Sequence, residues 1–166
     1  MSDKSSGDQV LEKAFRLKLK KKEGEAISSK EYDKIIRLVG KAKGRVGGDD
    51  LLSLDGEPFK DLAPLVRLKN LENISITRYG LQDISPLSKL KKLVYLDLRH
   101  NEIVDLSALS GLQGLIYLYL QDNRIKNLGP LAGLKNLRYL TLVQNPLSRN
   151  GAASLRKALP DCIIRV

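Results

Sequence analysis

Tryptophan is absent, and cysteine, methionine and histidine occur once each, as Cys162, Met1 and His100. One cysteine excludes an internal disulfide and leaves the redox compartment open. One histidine and one cysteine cannot build a zinc site of the usual spacing, so no metal and no cofactor is expected. The chain has no phosphate-binding glycine loop and no GxSxG elbow. No apolar run approaches the ~20 residues of a membrane-spanning helix. The opening MSDKSSGDQ lacks the hydrophobic core of a signal peptide. As written, the chain is expected to be soluble, with residues 1–8 as a disordered tether.

Positive charge is in excess. The 166 residues carry a formal net charge of +10, and the length suffices for one compact domain with a sizeable core. Residues 1–45 hold 13 Lys/Arg against 7 Asp/Glu, so the front quarter supplies more than half of the excess. A basic balance suits nucleic acid, an anionic membrane or an acidic protein and selects none of them.

The organising feature is a repeat. Leu68, Leu90, Leu112 and Leu134 are 22 apart. Leu71, Leu93, Leu115 and Leu137 keep the same step, as do Ile74, Leu96, Leu118 and Leu140, and Ile76, Leu98, Leu120 and Leu142. Stepping back from Ile74 reaches Leu52, Leu54, Phe59, Leu62 and Leu65, an earlier degenerate repeat over about 46–67. The LxL alternation predicts one short strand per repeat, leucines pointing one way and the residues between them the other. One repeat cannot bury its leucines alone, so neighbours stack into a parallel sheet with strands about 4.8 Å apart. Asn101, Asn123 and Asn145 sit where the chain leaves each strand, placed to bond exposed backbone groups of the turns. Tyr79 and Glu57 occupy that column earlier, which predicts an incomplete ladder at the N-terminal end. Pro64, Pro86 and Pro130 share one column on the return side and predict 3₁₀ or extended turns there.

Both ends of such a stack need caps. Residues 9–22 predict an amphipathic helix with Val10, Ala14 and Leu17 on one face and Leu11 and Phe15 beside them. A second helix is expected from the Ser28-x-x-Glu31 capping box, with Tyr32, Ile35, Ile36 and Val39 inward and a stop near Gly40. Gly44, Gly47 and Gly48 then loosen the chain. At the other end a short helix over about 150–158 stops at Pro160, and a strand follows with Cys162, Ile164 and Val166 on one side.

The pattern LxxLxLxxNxI stands as LKKLVYLDLRHNEI at 90–103, LQGLIYLYLQDNRI at 112–125 and LKNLRYLTLVQNPL at 134–147. It resembles the leucine-rich repeat, and the spacing with DLSAL and NLGPL segments is similar to the short class of bacterial internalins. The helical start and the LP-x-C-x-I ending resemble the caps of such proteins. The resemblance implies an α/β solenoid, a right-handed superhelix with a parallel concave sheet. It implies a helical N-cap over 9–45, about five repeats over 46–147 and a helix–strand C-cap over 148–166. It also implies non-catalytic protein binding through the concave face, by a chain monomeric on its own. The implied source is bacterial, with an envelope or secreted location if an export signal has been removed and a cytoplasmic one otherwise.

Strand alternation supplies the outward set. It comprises Asn73, Arg78, Tyr95, Asp97, Arg99, His100, Tyr117, Tyr119, Gln121, Asp122 and Tyr139. Four of the six tyrosines lie on this face. Tyrosine offers stiff amphipathic area of the kind enriched in binding hot spots. The plain alternative is that the rings only cover the sheet and pack on one another. His100 with Asp97 and Arg99 imitates a catalytic cluster, but an open sheet surface offers neither water exclusion nor an oxyanion hole, so no enzyme is expected. Lys18, Lys20, Lys21 and Lys22 form a candidate anion-binding run for nucleic acid or anionic lipid. Aromatic interleaving is missing and Glu12, Glu23 and Glu25 interrupt the run. A protein ligand is therefore the first expectation, and a nucleic-acid or ribonucleoprotein module using the basic helix the second.

Overall fold

The leucine alternation folds into short strands, with Leu96, Leu118 and Leu140 turned into the core as the middle residues of three of them. The computed structural model describes residues 6–35, 37–40, 51–53 and 59–166. The strands are β1 (Arg37–Gly40), β2 (Leu51–Ser53), β3 (Asn73–Ile76), β4 (Tyr95–Asp97), β5 (Tyr117–Tyr119), β6 (Tyr139–Thr141) and β7 (Ile163–Arg165). They form one sheet in the order β2-β1-β3-β4-β5-β6-β7, with every pair parallel. Asn73, Tyr95, Tyr117, Tyr139 and Ile163 lie side by side in the register. The repeat step in the sequence is thus a column in space. Ile74, Leu96, Leu118 and Leu140 are fully buried beneath it. Each such side chain contributes about 1.5–3 kcal/mol by leaving water.

The return path runs through 3₁₀ turns at Ala63–Arg67, Ser85–Lys89, Ser107–Leu109 and Gly129–Leu131. Proline stands in the first turn of three of them, where its missing N–H costs nothing. Asp61, Asp83, Asp105 and Asn127 start these turns by accepting the N–H two residues on, at 2.8–2.9 Å. The hydrogen bonds from Ser107 hold the Asp105 carboxyl below its usual value.

The asparagines lock successive turns together. Asn123 Nδ2 donates to Leu98 O and Leu120 O, both at 3.0 Å, while its Oδ1 accepts the Ile103 N–H at 3.0 Å. Asn101 and Asn145 repeat the pattern one turn away on each side. Leu98 O and Leu120 O therefore each accept from two asparagines. Tyr79, in the same column, is buried and offers no amide there.

Immediately before this column the backbone turns left-handed. Arg78, His100, Asp122 and Gln144 have φ of 65°, 58°, 55° and 61°. The N–H groups of the first three bond forward to Arg99 O, Gln121 O and Val143 O, so sheet hydrogen bonding sustains a conformation unfavourable to side chains. Replacing exposed Gln144 by glycine should relieve that strain. We expect Gln144→Gly to raise stability by up to about 1 kcal/mol, read as a higher urea midpoint. A lower midpoint would mean the glutamine side chain stabilises the turn.

The N-terminal cap departs from expectation in three ways. Helix α1 spans Ser6–Leu19, beginning inside the segment expected as tether and ending at Lys20, which takes a φ of 54°. Its buried residues are Leu11, Ala14 and Phe15, whereas Leu17 is 67% exposed. The inward stripe is set by Phe15, which packs edge-on against Tyr32 at 4.5 Å between ring centroids. Helix α2 is only Ser29–Tyr32, and the expected continuation to Val39 is instead strand β1. β1 inserts between β2 and β3, with Leu38 buried beside Ile74. A parallel strand there satisfies the β3 edge, which one more helical turn would leave bare. The degenerate first repeat therefore does not adjoin β3. Ile36, the loop of Gly44, Gly47 and Gly48, and the Leu54 and Glu57 columns lie outside the described residues.

Within the capping box, the Glu31 carboxylate accepts the Ser28 N–H at 2.8 Å and meets Lys21 at 3.0 Å. These bonds, the Ser28 backbone first, lower its pKa from 4.5 to about 2. A depressed carboxylate stabilises the fold above its unfolded pKa and loses that contribution as pH falls through the folded one. The difference in denaturation midpoint between wild type and Glu31→Gln should therefore be full above about pH 4.5 and shrink towards pH 2. A gap that stayed constant across that window would contradict the cap.

At the far end α3 (Arg149–Ala158) starts at Ser148, whose Oγ accepts the Gly151 N–H at 3.1 Å. Ala152, Leu155 and Leu159 seal the last repeat. Ile164 and Cys162 pack partly against the core, and burial pushes the Cys162 thiol up. Val166, expected on their side, is exposed.

Candidate binding face

Parallel pairing without slip places the tyrosines of β4, β5 and β6 on one face. The contacts run diagonally rather than straight down the column. Tyr119 lies 5.3 Å from Tyr95 and 5.4 Å from Tyr139, ring centroid to centroid, and Tyr95 lies 6.4 Å from Tyr117. The rings are tilted by 43–45°, within the range of favourable aromatic contacts. Tyr119 is thus the hub, and Tyr117, 44% exposed, is the ring that projects furthest into water. Partial burial raises the pKa of Tyr95 and Tyr119.

Asp97 was expected to face solvent and does not: it is 2% exposed. Arg99 folds over it, with Nε and Nη2 on the two carboxylate oxygens at 2.8 and 2.7 Å. The Arg99 backbone N–H adds a bond to Oδ1 at 3.2 Å. This fork raises the Arg99 pKa, and the guanidinium also sits 5.6 Å over the Tyr119 ring. Thr141, in the same column, is buried as well, with its hydroxyl on Gln121 Oε1 at 3.3 Å.

His100 belongs to a line of polar side chains along the rim. Its Nδ1 meets Asp122 Oδ2 at 2.8 Å and its Nε2 lies 3.5 Å from Arg78 Nη2. Both ring nitrogens are engaged by rim neighbours one repeat away, and Asp97 is turned towards Arg99. The structure therefore separates the apparent acid–base trio into two unrelated pairs. Asn73 is half-buried at the start of the tyrosine column. Among the described residues no acidic, histidine and cysteine group could hold a metal, and no helix is long and apolar enough to cross a membrane.

Within the basic run the Lys21 side chain is tied into the cap. Lys21 Nζ bonds Glu31 Oε2 at 3.0 Å and the Ala26 carbonyl. Lys20 sits at the helix stop and the Lys22 carbonyl accepts from Arg16, while both lysine side chains are exposed. Lys18 lies on the last turn of the helix. A second basic stripe, missed in the sequence, runs along the loops that enter the strands: Lys69, Lys89, Lys91 and Lys92 are exposed there. The available signal was one column of the 22-residue repeat, Lys69, Lys91 and Lys135, broken by Gln113.

The leucine rich repeat family model matches residues 69–125 and, overlapping it, 93–147. Together with the register of the parallel strands, this decides the fold. The chain folds as a leucine-rich repeat solenoid. Solved structures agree. Internalin C2 of Listeria monocytogenes is 24% identical, with a TM-score of 0.62, over 93% of this chain and 81% of that one. A leucine-rich repeat protein of Leptospira interrogans is 28% identical with a TM-score of 0.64, over 70% of this chain and 31% of its own. A second Listeria internalin, inlF, is 25% identical with a TM-score of 0.57, over 94% of this chain and 54% of its own. The chain thus spans about a third to a half of the length of the latter two. No curated protein sequence matches it. Leucine-rich repeat domains are commonly protein-interaction modules and generally non-catalytic scaffolds.

Proposed function

We propose that this leucine-rich repeat solenoid is a non-catalytic adaptor that recognises a protein ligand through its concave face. The observation that carries the reading is the tyrosine cluster around Tyr119, held by ring contacts and by the stacked Arg99. Side chains already fixed in the free protein lose little entropy on docking, and clustered exposed aromatics mark contact surfaces. The rings pack on one another, as the plain reading has it, but Tyr117 remains too exposed for covering the sheet to be its whole role. The likeness to bacterial proteins supports a bacterial source with an envelope or surface role.

The test is affinity capture with wild type and with Tyr117→Ser/Tyr119→Ser from the source cell or its host. A partner retained by wild type and lost by the variant supports the reading. Identical retention by both, or capture that fades steeply with salt and needs the N-terminal lysines, would favour the nucleic-acid alternative.

A further inference from the structure

The tyrosine rings are bracketed by arginines, and this bracket defines the partner. Arg99 lies 5.6 Å over Tyr119, Tyr119 lies 5.4 Å from Tyr139, and Arg165 lies 5.6 Å over Tyr139. The result is a cation–ring–ring–cation stack across β4 to β7. Nothing in the linear sequence links Arg165 to this set, because it enters from the C-cap strand, paired beside Thr141.

Resting on the reading of this face as a protein-binding surface, we propose that its ligand is an acidic peptide segment whose carboxylates are taken by Arg99 and Arg165 on either side of the tyrosines. Arg99 spends Nε and one Nη2 hydrogen on Asp97, and its remaining N–H groups have no acceptor among the described residues. Arg165 is exposed and has no carboxylate within ion-pair distance among the described residues. The Nη1 side of Arg99 and the guanidinium of Arg165 can each still offer two N–H groups to a carboxylate. Two further cations flank the face. Arg78 and Arg138 are exposed beside it, Asp97 is already neutralised, and Asp122 is engaged by His100. Glu72 is the exposed acid at the β3 end. Arg99 and Arg165 lie over Tyr119 and Tyr139, so a nucleobase stacking on those two rings would have to compete with them. The chain's net charge of +10 steers an acidic partner towards it as well.

The experiment selects a displayed random peptide library on the wild-type protein and discards whatever also binds Tyr117→Ser/Tyr119→Ser. The surviving peptides should be enriched in Asp and Glu. Their affinity should fall about ten- to a hundredfold in Arg165→Gln, and likewise in Asp97→Asn/Arg99→Gln, which removes the buried charge together with its partner. The rim variant Lys89→Gln/Lys91→Gln/Lys92→Gln removes three charges away from the face and should change affinity by no more than about threefold. Survivors without acidic enrichment, or affinities unmoved by both arginine variants, overturn the acidic ligand and leave the tyrosine face standing. An equal loss in the rim variant overturns it too, as diffuse charge attraction. No peptide that distinguishes the tyrosine variant defeats both readings.

Discussion

Asn123→Ala is expected to lower the unfolding free energy by about 3–5 kcal/mol, against the 5–15 kcal/mol usual for a domain. The side chain makes three hydrogen bonds at 3.0 Å inside the stack, each with a net contribution of about 1 kcal/mol. Removal also leaves the buried Ile103 N–H without its acceptor, which adds roughly 1–3 kcal/mol. The two carbonyls suffer less, since Leu98 O keeps Asn101 and Leu120 O keeps Asn145. That sharing makes a further claim. Asn101→Ala/Asn123→Ala should cost more than the two single losses together, because Leu98 O then has neither amide. Urea unfolding of the four proteins supplies the numbers. Strict additivity would mean the amides act one turn at a time and do not couple repeats.

Arg99→Ala should destabilise by about 3 kcal/mol, the low end for a broken buried ion pair. Asp97 is 2% exposed and loses both fork bonds at once. Arg99 itself is 39% exposed, so part of its own charge was never desolvated, which keeps the loss at that end of the range. Asp97→Asn/Arg99→Gln should recover most of the loss, since no buried charge is then left unpaired. Equal stabilities for Arg99→Ala and this double variant would show that Asp97 finds other partners.

The contrast between these two sites shows what the sequence makes legible. The asparagine column repeats every 22 residues, so its role is readable from spacing and from the orphan backbone groups of a turn. The leucine columns are legible for the same reason, and so is the outward tyrosine face. Asp97 appears in its column once, and alternation assigns it outward. Its burial depends on a neighbouring side chain folding back two residues later, which spacing cannot reveal. The diagonal ring contacts arise because Tyr119 stands two residues further along its strand than the rings it meets, and the Arg165 stack comes from a strand outside the repeat. At the N-terminus the capping box was legible, but helix propensity alone could not show that Arg37–Gly40 is drawn into the sheet by an open β3 edge. The left-handed column was in plain view as Arg78, His100, Asp122 and Gln144, yet these residue types share no backbone preference that would announce it.

The most direct test of the account is the dissociation constant of the captured partner, purified, for wild type and for Tyr117→Ser/Tyr119→Ser. Melting curves should confirm that the variant remains folded. A concave-face binder predicts a loss of about a hundredfold or more, the effect of removing two central aromatic anchors. Affinity unchanged within about twofold, in a variant that melts as a folded protein, would contradict it.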